Sequence, residues 1–449
     1  MIYTIFEHKP ENFYPFSLNH AVFEIRSGAF SHLDRIQNSI GDKDKLILVV
    51  RDSIKGIVSE RYPDLIVNPD IIPPSKIIYS NSDDACPNDP EEVKEEMSLS
   101  DFKDKTWLNI GEFYLWNYVG DSIFNYDKEK FNMKIQGDCH SSCIMINKNN
   151  IHISSSARVS AGVILDATDG PIIIDDGAFL DIGALIKGNA YIGKNSIINP
   201  GAKLRGNVSI GPHCKIGGEV ECSTFHGYSN KQHDGYLGHS YVGEWVNLGA
   251  NTNNSDLKNN YSNIRVNMGE KEIDAGMFAG CLIGDYTKTG ISTMINTGTY
   301  IGLGANVFGG DFQNKQVPSF SWGRNGKVKL EKFLKTLELV KSRRDKVLTE
   351  SEIIMIRNIA RIFGINQSQF EGIRESRKGS DKLNPYIVLG CSSNDDFATV
   401  RKKYLQLSKE HHPDILMNKG VPKEVIEESK KKMRAINSAF DQIEKMKQK

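Results

Sequence analysis

Residues 174–222 read IDDGAFLDIGALIKGNAYIGKNSIINPGAKLRGNVSIGPHCKIGGEVEC, and this stretch decides the fold. Small or aliphatic residues recur at every sixth position, namely Ile174, Leu180, Ile186, Ile192, Ile198, Leu204, Ile210, Ile216 and Cys222. A period of six with one inward-pointing residue per repeat is typical of a parallel β-helix, in which each short strand is one side of a triangular coil. The spacing therefore predicts a solenoid whose stacked coils bury a continuous core.

The six-residue pattern starts less regularly near Ile153, and two polar segments interrupt it. Residues 223–235 read STFHGYSNKQHDG, and residues 251–263 read NTNNSDLKNNYSN; the pattern resumes between them at Val242 and Leu248. We expect both segments to be loops on the solenoid surface, where a binding site would be built. Their Asn and Gly residues also suit tight corners that have no function, because both tolerate a left-handed backbone.

The remaining sequence predicts three further regions around a β-helix at residues 146–325. Residues 1–145 mix helical and strand patterns, with the apolar run Leu46–Val50, and predict a reduced α/β domain. Residues 326–382 predict a helical connector that ends in a charged linker. Residues 383–449 predict a small basic helical domain.

Composition excludes several classes of protein. Lysine plus arginine and aspartate plus glutamate each count 56, so the formal net charge is zero and a nucleic-acid partner is not expected. The apolar runs are too short to span a bilayer, so we expect no membrane span. The seven cysteines are odd in number and scattered, which favours a reducing cytoplasm over a secreted disulfide scaffold.

The β-helix and the N-terminal region together resemble a known enzyme family. The strings YSNKQHDGYLG at 228–238, GEWVNLGA at 243–250, LKNNY at 257–261 and PFSLNHAVFEIRSG at 15–28 are similar to the short variant of the GlmU family. That family makes UDP-N-acetylglucosamine with a sugar-1-phosphate nucleotidyltransferase domain and a left-handed β-helix acetyltransferase domain. The resemblance covers roughly residues 1–345 and implies a homotrimer that binds acetyl-CoA between neighbouring coils.

The resemblance also implies roles for individual residues. His233 would be the general base that deprotonates the amine of glucosamine-1-phosphate, a task suited to a histidine. Tyr236, Asn247, Asn260, Tyr261, Lys231 and Lys258 would bind the sugar-phosphate substrate, and Cys281 and Ala279 would contact the coenzyme. The paired lysines that the family uses to hold the sugar phosphate fall on Ser223 and Thr224, which leaves the acceptor open.

The N-terminal region carries a weaker form of the family pattern. A nucleotidyltransferase of this kind opens with a glycine-rich loop, because backbone N–H groups must approach the phosphates closely. Only Arg26-Ser27-Gly28 stands at that place. The resemblance therefore implies that Arg26 and Gly28 bind UTP, with Mg²⁺, if this domain is active; we expect no other metal site.

The C-terminal region contains Tyr-Ile-Val-Leu-Gly at 386–390, then a basic helix, His-Pro-Asp at 412–414 and Ile-Asn-Ser-Ala-Phe at 436–440. With these motifs it is similar to a J-domain, the module that stimulates ATP hydrolysis by DnaK-type chaperones, and the loop 411–421 is similar to that of DjlA-type proteins. By this resemblance the chaperone would bind His412, Pro413 and Asp414, with Arg401, Lys402 and Lys403 steering its acidic surface.

Two hypotheses of different classes follow. In the first, the protein is an acetyltransferase acting on an amino-sugar phosphate, with uridylyl transfer if the N-terminal site is active, and its J-domain recruits a chaperone. In the second, it is a co-chaperone whose β-helix is a trimeric scaffold, or a surface for clients or sugars, without turnover. The first depends on His233 and the second on His412.

Overall fold

The computed structural model describes residues 1–79, 91–105, 121–268, 271–365, 385–389, 391, 395–411, 436–437 and 439–444. The chain divides into two compact units, Met1–Ile365 and Asn366–Lys449. A three-sided solenoid of parallel strands forms most of the first unit.

Each side of the solenoid is a stack of short parallel strands, and the three stacks are here called the first, second and third faces; the first is one continuous sheet, and the other two are each divided into two sheets. The first face contains Ile151–Ile153, Ile172–Ile174, Ala190–Ile192, Val208–Ile210, Thr224–Gly227, Tyr241–Glu244, Cys281–Ile283, Thr299–Ile301 and Gln316–Val317. The second contains Asp138–Cys139, Arg158–Val159, Phe179–Leu180, Ile197–Ile198, Lys215–Ile216, Asn230–Lys231, Lys288–Thr289, Asn306–Val307 and Ser321–Trp322, with Gly326–Lys327 paired antiparallel at its end. The third contains Ile144–Ile146, Ile164–Asp166, Leu185–Lys187, Lys203–Leu204, Glu219–Glu221, Tyr236–Gly238, Asn253–Asn254 and Met294–Ile295.

The inward residues of successive coils stack in columns, as the six-residue period predicts. Ile174, Ile192 and Ile210 are in register on the first face, and all three are fully buried. One position of the predicted ladder is wrong. After Ile216 the next inward residue is Val220, four positions later, because the corner of this coil is two residues shorter than that between Ile198 and Leu204. Cys222 lies instead at the following corner, half-buried and with a φ of 41°.

Residues 223–235 form part of a regular coil and not the surface loop expected from the sequence. Strand Thr224–Gly227 pairs with Val208–Ile210, and Asn230–Lys231 pairs with Lys215–Ile216. The six-residue period does not reveal this coil, because Phe225 and Lys231 take inward positions that are aliphatic in the coils below. The second interruption is a true insertion between Asn253–Asn254 and Cys281–Ile283, and it contains the antiparallel hairpin Arg265–Met268 and Lys271–Asp274.

The N-terminal segment has the predicted α/β character. Its sheet has the order Ile66–Val67, Lys45–Val49, Ile2–Phe6, Ser75–Tyr79 and Glu92–Val93, parallel except for the last strand. The helices are His32–Gln37, Asp52–Arg61, Leu99–Asp104 and Asp121–Lys128, with 3₁₀ turns at Pro10–Phe13, Phe16–Leu18 and Val22–Glu24 and strand pairs Arg26–Ser27 with Phe30–Ser31 and Ile71–Ile72 with Met97–Ser98. Alternate residues of Lys45–Val49 face opposite clusters, so both faces of the sheet are buried.

This segment packs directly against the first face of the solenoid. Phe13 and Phe16 share an apolar cluster with Tyr241 and Leu282. Two helices, Leu330–Ser342 and Glu350–Ile362, complete the unit, and Thr349 caps the second by accepting a hydrogen bond from the Glu352 N–H at 3.2 Å. The apolar sides of both helices join one core with the N-terminal sheet and the end of the solenoid.

The second unit contains helices Pro385–Val388 and Phe397–His411 and helical residues at 436–437 and 439–444. Leu389, Val400, Ile436 and Ile443 are buried together. Tyr404 stacks on Phe440 with ring centroids 4.1 Å apart, and the side chains of this unit thus form a small core of their own.

Candidate functional site

His233 lies on the exposed turn between the second-face strand Asn230–Lys231 and the third-face strand Tyr236–Gly238. Among the described residues its side chain makes neither a hydrogen bond nor an ion pair, so the imidazole is open to solvent. Its carbonyl oxygen accepts a hydrogen bond from Lys231 Nζ at 3.2 Å. The turn is therefore fixed from inside while the ring remains free to meet a ligand.

Lys231 is not a surface ligand for substrate, as the sequence had suggested, because its side chain points into the solenoid core. It stacks above Ile216 in the second-face column and is only 2% exposed. Besides the His233 carbonyl, Nζ donates to the carbonyl oxygens of Gly217 at 2.9 Å and Gly235 at 2.6 Å. Burial lowers the pKa of Lys231 to about 8, although Asp234 and Glu219 act in the opposite direction.

The short corner below explains why a lysine fits there. In the coils beneath, the corner between the second and third faces is filled by an inward alanine, Ala184 or Ala202, and both are fully buried. The coil from Ile216 to Val220 has two residues fewer and supplies no such side chain. The lysine reaches into this space, where a Cβ on Gly218 would come within 2.8 Å of Nζ. The ammonium thus links the short corner to the turn that carries His233.

A second cluster lies at the corner between the third and first faces, and we call it the corner cluster: Cys222, His239 and Asp256, with Tyr236 beside them. His239 Nδ1 lies 2.8 Å from Asp256 Oδ2, and the Tyr236 hydroxyl donates to the same oxygen at 2.7 Å. Cys222 follows Glu221 in the coil below just as His239 follows Gly238, so the two residues are neighbours in adjacent coils. His239 is 25% exposed and Asp256 is 14% exposed, so the cluster is partly open to solvent.

Backbone geometry makes room for the corner cluster. Gly238 lies directly before His239, and a Cβ there would fall 2.1 Å from the Tyr236 hydroxyl and 2.4 Å from Asp256 Oδ2. Asn254 occupies an inward position and brackets the same glycine, because its Oδ1 accepts from the Gly238 N–H at 2.8 Å and its Nδ2 donates to the Gly238 carbonyl at 2.9 Å. The strand that carries the cluster is thus held by a buried amide.

The charges of the corner cluster follow from these contacts. Burial alone would lower the pKa of His239, but the hydrogen bond with Asp256 and the neighbouring Cys222 outweigh it and raise the pKa to about 9. Burial alone would raise the pKa of Asp256, but the hydrogen bonds from His239 and Tyr236 lower it. At neutral pH the cluster therefore holds a cationic imidazole beside an ionised carboxylate.

The other predicted substrate residues lie in two places. Asn247 is exposed on the second face, 3.5 Å from the Asn230 amide. Lys258, Asn260 and Tyr261 lie on the loop after Asp256, where Lys258 Nζ donates to the Asn263 carbonyl at 2.5 Å, Asn260 Oδ1 accepts from Ser262, and Tyr261 is 65% exposed. Tyr236 turns towards the corner cluster and not towards His233.

The two predicted coenzyme residues are both buried, so their side chains present no atom to a ligand in the described chain. Cys281 lies inside the solenoid core with its sulfur 3.4 Å from Ser240 Oγ, and burial raises the pKa of its thiol to about 12. Ala279 packs with Phe13 and Phe16 of the N-terminal segment. The structure therefore corrects the prediction that these side chains contact a coenzyme, because strand alternation turns Cys281 inward.

Arg26 and Gly28 do not line an open loop. The Arg26 guanidinium donates to the Ala29 carbonyl and lies 5.7 Å from the Tyr191 ring centroid, against the solenoid. A Cβ on Gly28 would come within 2.5 Å of Asp127 Oδ2, and the Gly28 carbonyl accepts a hydrogen bond from Ser209 Oγ at 2.5 Å. This placement gives the hairpin a packing role and lends no support to the predicted binding of nucleotide.

A buried polar network between the N-terminal segment and the solenoid was not predicted. His20 Nε2 lies 2.8 Å from Asp285 Oδ2, and His226 Nδ1 lies 3.0 Å from Glu244 Oε1. Ligand atoms of His20, His226 and Glu244 lie within 4.8 Å of one another, which is close enough to hold a metal ion. The remaining ring nitrogens already pair with Arg61 and with the Glu24 carbonyl, so hydrogen bonds account for the whole arrangement.

In the second unit, Arg401, Lys402 and Lys403 are exposed on helix Phe397–His411, as a steering surface requires. His412, Pro413 and Asp414 lie outside the described residues. None of the helices in the described ranges combines the length and the apolar character needed to cross a bilayer.

Comparison with known proteins found similarity of two kinds, to a transferase repeat family and to DjlA co-chaperones. Residues 189–223 match the family described as "Bacterial transferase hexapeptide (six repeats)", which confirms the hexapeptide-repeat solenoid, the left-handed class predicted from the sequence. The chain is 38% identical over 81 residues to the co-chaperone protein DjlA of Photorhabdus laumondii and 43% identical over 82 residues to that of Pasteurella multocida. Each match covers 18% of this chain and only 30% and 28% of those relatives, so the homology with DjlA is partial.

Solved structures of similar shape include two acyltransferases. The UDP-N-acetylglucosamine acyltransferase of Francisella novicida aligns over 64% of this chain and 88% of its own, with 15% identity and a TM-score of 0.30. The enzyme of the same name from Arabidopsis aligns over 68% of this chain and 96% of its own, with 12% identity and a TM-score of 0.20. At these values the alignments carry no functional argument.

Proposed function

We propose that the solenoid transfers an acyl group, acetyl from acetyl-CoA, to the amine of a sugar phosphate such as glucosamine-1-phosphate, with His233 as the general base. The observation that carries this proposal is the exposed imidazole of His233 on a turn held by the buried Lys231 ammonium. The hexapeptide transferase match at 189–223 supports it, because it lies in the coils directly below this turn.

The reaction needs one proton acceptor and a means of holding an anion. The sugar amine must lose a proton as its nitrogen attacks the thioester carbonyl, and His233 is placed to receive that proton. Lys258, Asn247, Asn260 and Tyr261 offer polar or charged groups on the outer surface for the sugar phosphate, and a homotrimer would bring a neighbouring subunit to these groups. Lys231 is a positioning residue in this scheme. Uridylyl transfer from UTP with Mg²⁺ stays a prediction.

The test is release of CoA thiol from acetyl-CoA by the full chain across a panel of amino-sugar 1-phosphates. We expect release that requires an acceptor and that falls about 10²- to 10⁴-fold in His233→Ala, the usual contribution of a general base. Gln232→Ala is the matched control, because Gln232 is exposed on the same turn. If folded protein releases no thiol with any acceptor, the solenoid is a scaffold or a client- or sugar-binding surface.

We also propose that the second unit recruits a DnaK-type chaperone. Two observations favour this: the partial homology with DjlA co-chaperones, and exposed Arg401, Lys402 and Lys403 on a helix packed into a small core. The basic helix would approach an acidic chaperone surface by charge complementarity, and His412, Pro413 and Asp414 would make the stimulating contact.

Stimulation of a DnaK-type ATPase by the full chain tests this second proposal. We expect His412→Gln to abolish stimulation, while His411→Gln, which changes the neighbouring histidine in the same way, retains most of it. Acceptor-dependent release of CoA thiol should be the same in both variants. Stimulation that survives in His412→Gln would remove the co-chaperone proposal.

A further inference from the structure

Three successive coils place a thiol, an imidazole and a carboxylate at one corner of the solenoid. Cys222 directly follows the third-face strand Glu219–Glu221, and His239 directly follows the next one, Tyr236–Gly238. The His239 N–H donates to the Glu221 carbonyl at 3.1 Å, so Cys222 and His239 hold equivalent positions in adjacent coils. Asp256 comes from the coil above, where its carbonyl accepts from the Ala279 N–H at 2.9 Å.

We propose that Cys222, His239 and Asp256 form a nucleophile–base–acid triad that accepts an acyl group from a thioester on the Cys222 sulfur. His239 Nδ1 donates to Asp256 Oδ2 at 2.8 Å, which directs the other ring nitrogen away from the carboxylate. A nucleophile whose base is oriented by a third group is the arrangement that activates a thiol. The inference shares only its acyl-thioester donor with the proposed function.

The surroundings of the sulfur favour a reactive thiol over a buried structural one. Cys222 is half-buried, whereas Cys214 and Cys281 are fully buried in the core. The Asn207 amide points Nδ2 at the Cys222 sulfur from the coil below at 3.8 Å, as a donor towards negative charge on sulfur. Both Cys222 and His239 have a left-handed backbone, with φ of 41° and 43°, which is uncommon outside glycine.

An apolar surface for the acyl group lies next to the triad. Phe278 stacks on the His239 ring with centroids 5.1 Å apart and remains 46% exposed. Met277 beside it is also exposed. The Tyr236 hydroxyl donates to Asp256 at 2.7 Å and so helps to fix the carboxylate behind the imidazole.

The step balances without an oxidant or reductant. The step runs through the neutral form of His239, which becomes the major form above about pH 9: its free ring nitrogen takes the Cys222 thiol proton as the sulfur attacks the thioester carbonyl carbon. A carbon–sulfur bond to Cys222 forms as the bond to the coenzyme sulfur breaks, and the proton on His239 passes to the departing thiolate. The products are S-acyl-Cys222 and free CoA thiol, and a later amine or hydroxyl nucleophile would remove the acyl group and return a proton to Cys222.

The experiment is to incubate the full chain with acetyl-CoA alone and to locate hydroxylamine-labile acetyl groups by peptide mapping. We expect acetyl on Cys222 of the wild type, none there in Cys222→Ser, and a rate about 10²-fold lower in His239→Gln. Cys143→Ser is the matched control, since Cys143 is also half-buried but its thiol donates to the Ser160 carbonyl at 3.2 Å. Mapping of the wild type needs no variant to fold.

A second measurement separates a reactive triad from a stacking motif. Iodoacetamide should alkylate Cys222 at least about tenfold faster than Cys143, and Asp256→Asn, which keeps the shape of the side chain, should slow Cys222. Equal labelling of Cys222 and Cys143, or labelling of Cys222 unchanged in His239→Gln, would overturn the inference. Acceptor-dependent release of CoA without acetyl on Cys222 of the wild type would leave the proposed function standing and remove the triad, whereas acetyl-Cys222 without acceptor-dependent release would do the reverse.

Discussion

The lower and upper coils of the solenoid differ in what they place in the core. In the second-face column the inward residues are Leu180, Ile198 and Ile216 in the lower coils, and then Lys231. In the third-face column Leu204, Val220 and Leu237 are followed by Asn254. Regular coils need only aliphatic side chains to stack, whereas Lys231 and Asn254 hold the backbone beneath His233 and His239.

This difference teaches where to look for function on a repeat protein. Burial disfavours the charge of Lys231 even though its ammonium is hydrogen-bonded, so we expect this residue to stabilise the core less than an aliphatic residue would. Its ammonium donates to three carbonyl oxygens, two of them in the turn that carries His233, so the loss of stability is located next to that turn. Departures from a consistent pattern concentrate at functional or strained sites, and Lys231 and Asn254 both contact the backbone next to a histidine of the candidate site.

Truncating a buried aliphatic side chain in the lower coils tests whether these coils depend on their inward columns, and it should give the largest change in stability. Ile198 is fully buried between Leu180 and Ile216, and we expect Ile198→Ala to lower the free energy of unfolding by about 2–5 kcal/mol, from lost burial and the cavity left behind. The measurement is urea unfolding followed by circular dichroism. Ile182→Ala is the control, because Ile182 is 62% exposed at a corner and should change stability by less than about 0.5 kcal/mol. Equal losses in the two variants would contradict a core that depends on the inward columns.

The lower coils could be predicted from sequence because one physical rule sets them. Each inward position of a coil must be apolar, so the six-residue period from Ile174 to Ile216 specifies strands, faces and register together. The prediction went wrong at Cys222, where a shorter corner shifts the inward position to Val220. The residues on both sides of this shorter corner still fit the six-residue period, so the sequence does not reveal the shift.

The upper coils were harder to predict because their contacts join residues that have no fixed spacing. Asp256 reaches His239 from the next coil, at the start of an insertion that the period does not describe. Lys231 was predicted to bind the sugar phosphate, but it is buried, and its partners are backbone carbonyls that no side-chain pattern records. The one available signal was Gly238 directly before His239, a residue small enough for the Tyr236–Asp256 contact.

The N-terminal segment shows a third limit of sequence reasoning. The apolar run Leu46–Val50 indicated a strand of an α/β domain, and the structure buries both faces of the sheet that contains it. The packing of Arg26 against Tyr191 depends on a surface more than a hundred residues away in the chain. Local sequence could suggest a phosphate-binding loop there, and only the tertiary contact shows what occupies the space.

The smallest expected effect is the change of folding stability with pH, which has opposite signs for Lys231 and His239. The pKa of His239 is raised from 6.5 to about 9, so its stabilising contribution is complete below pH 6.5 and fades as the pH rises through about 9. The pKa of Lys231 is lowered from 10.5 to about 8, so the folded state disfavours its charge, and this penalty is relieved as the pH rises from 8 towards 10.5. The two side chains therefore change stability in opposite directions in alkaline solution.

Melting temperatures of the wild type, His239→Gln and Lys231→Met between about pH 6 and about pH 10 measure these contributions. We expect the wild type to lose its advantage over His239→Gln as the pH rises, by on the order of 1–2 °C because the imidazole is partly exposed. Relative to Lys231→Met, the wild type should gain over the same range, since methionine places no charge in the core. Parallel curves for all three proteins would mean that neither group titrates differently in the folded and unfolded chains. Curves of the expected opposite slopes would show that the upper coils hold their two histidine-bearing turns with a buried cation on one edge of the third face and a paired imidazole on the other.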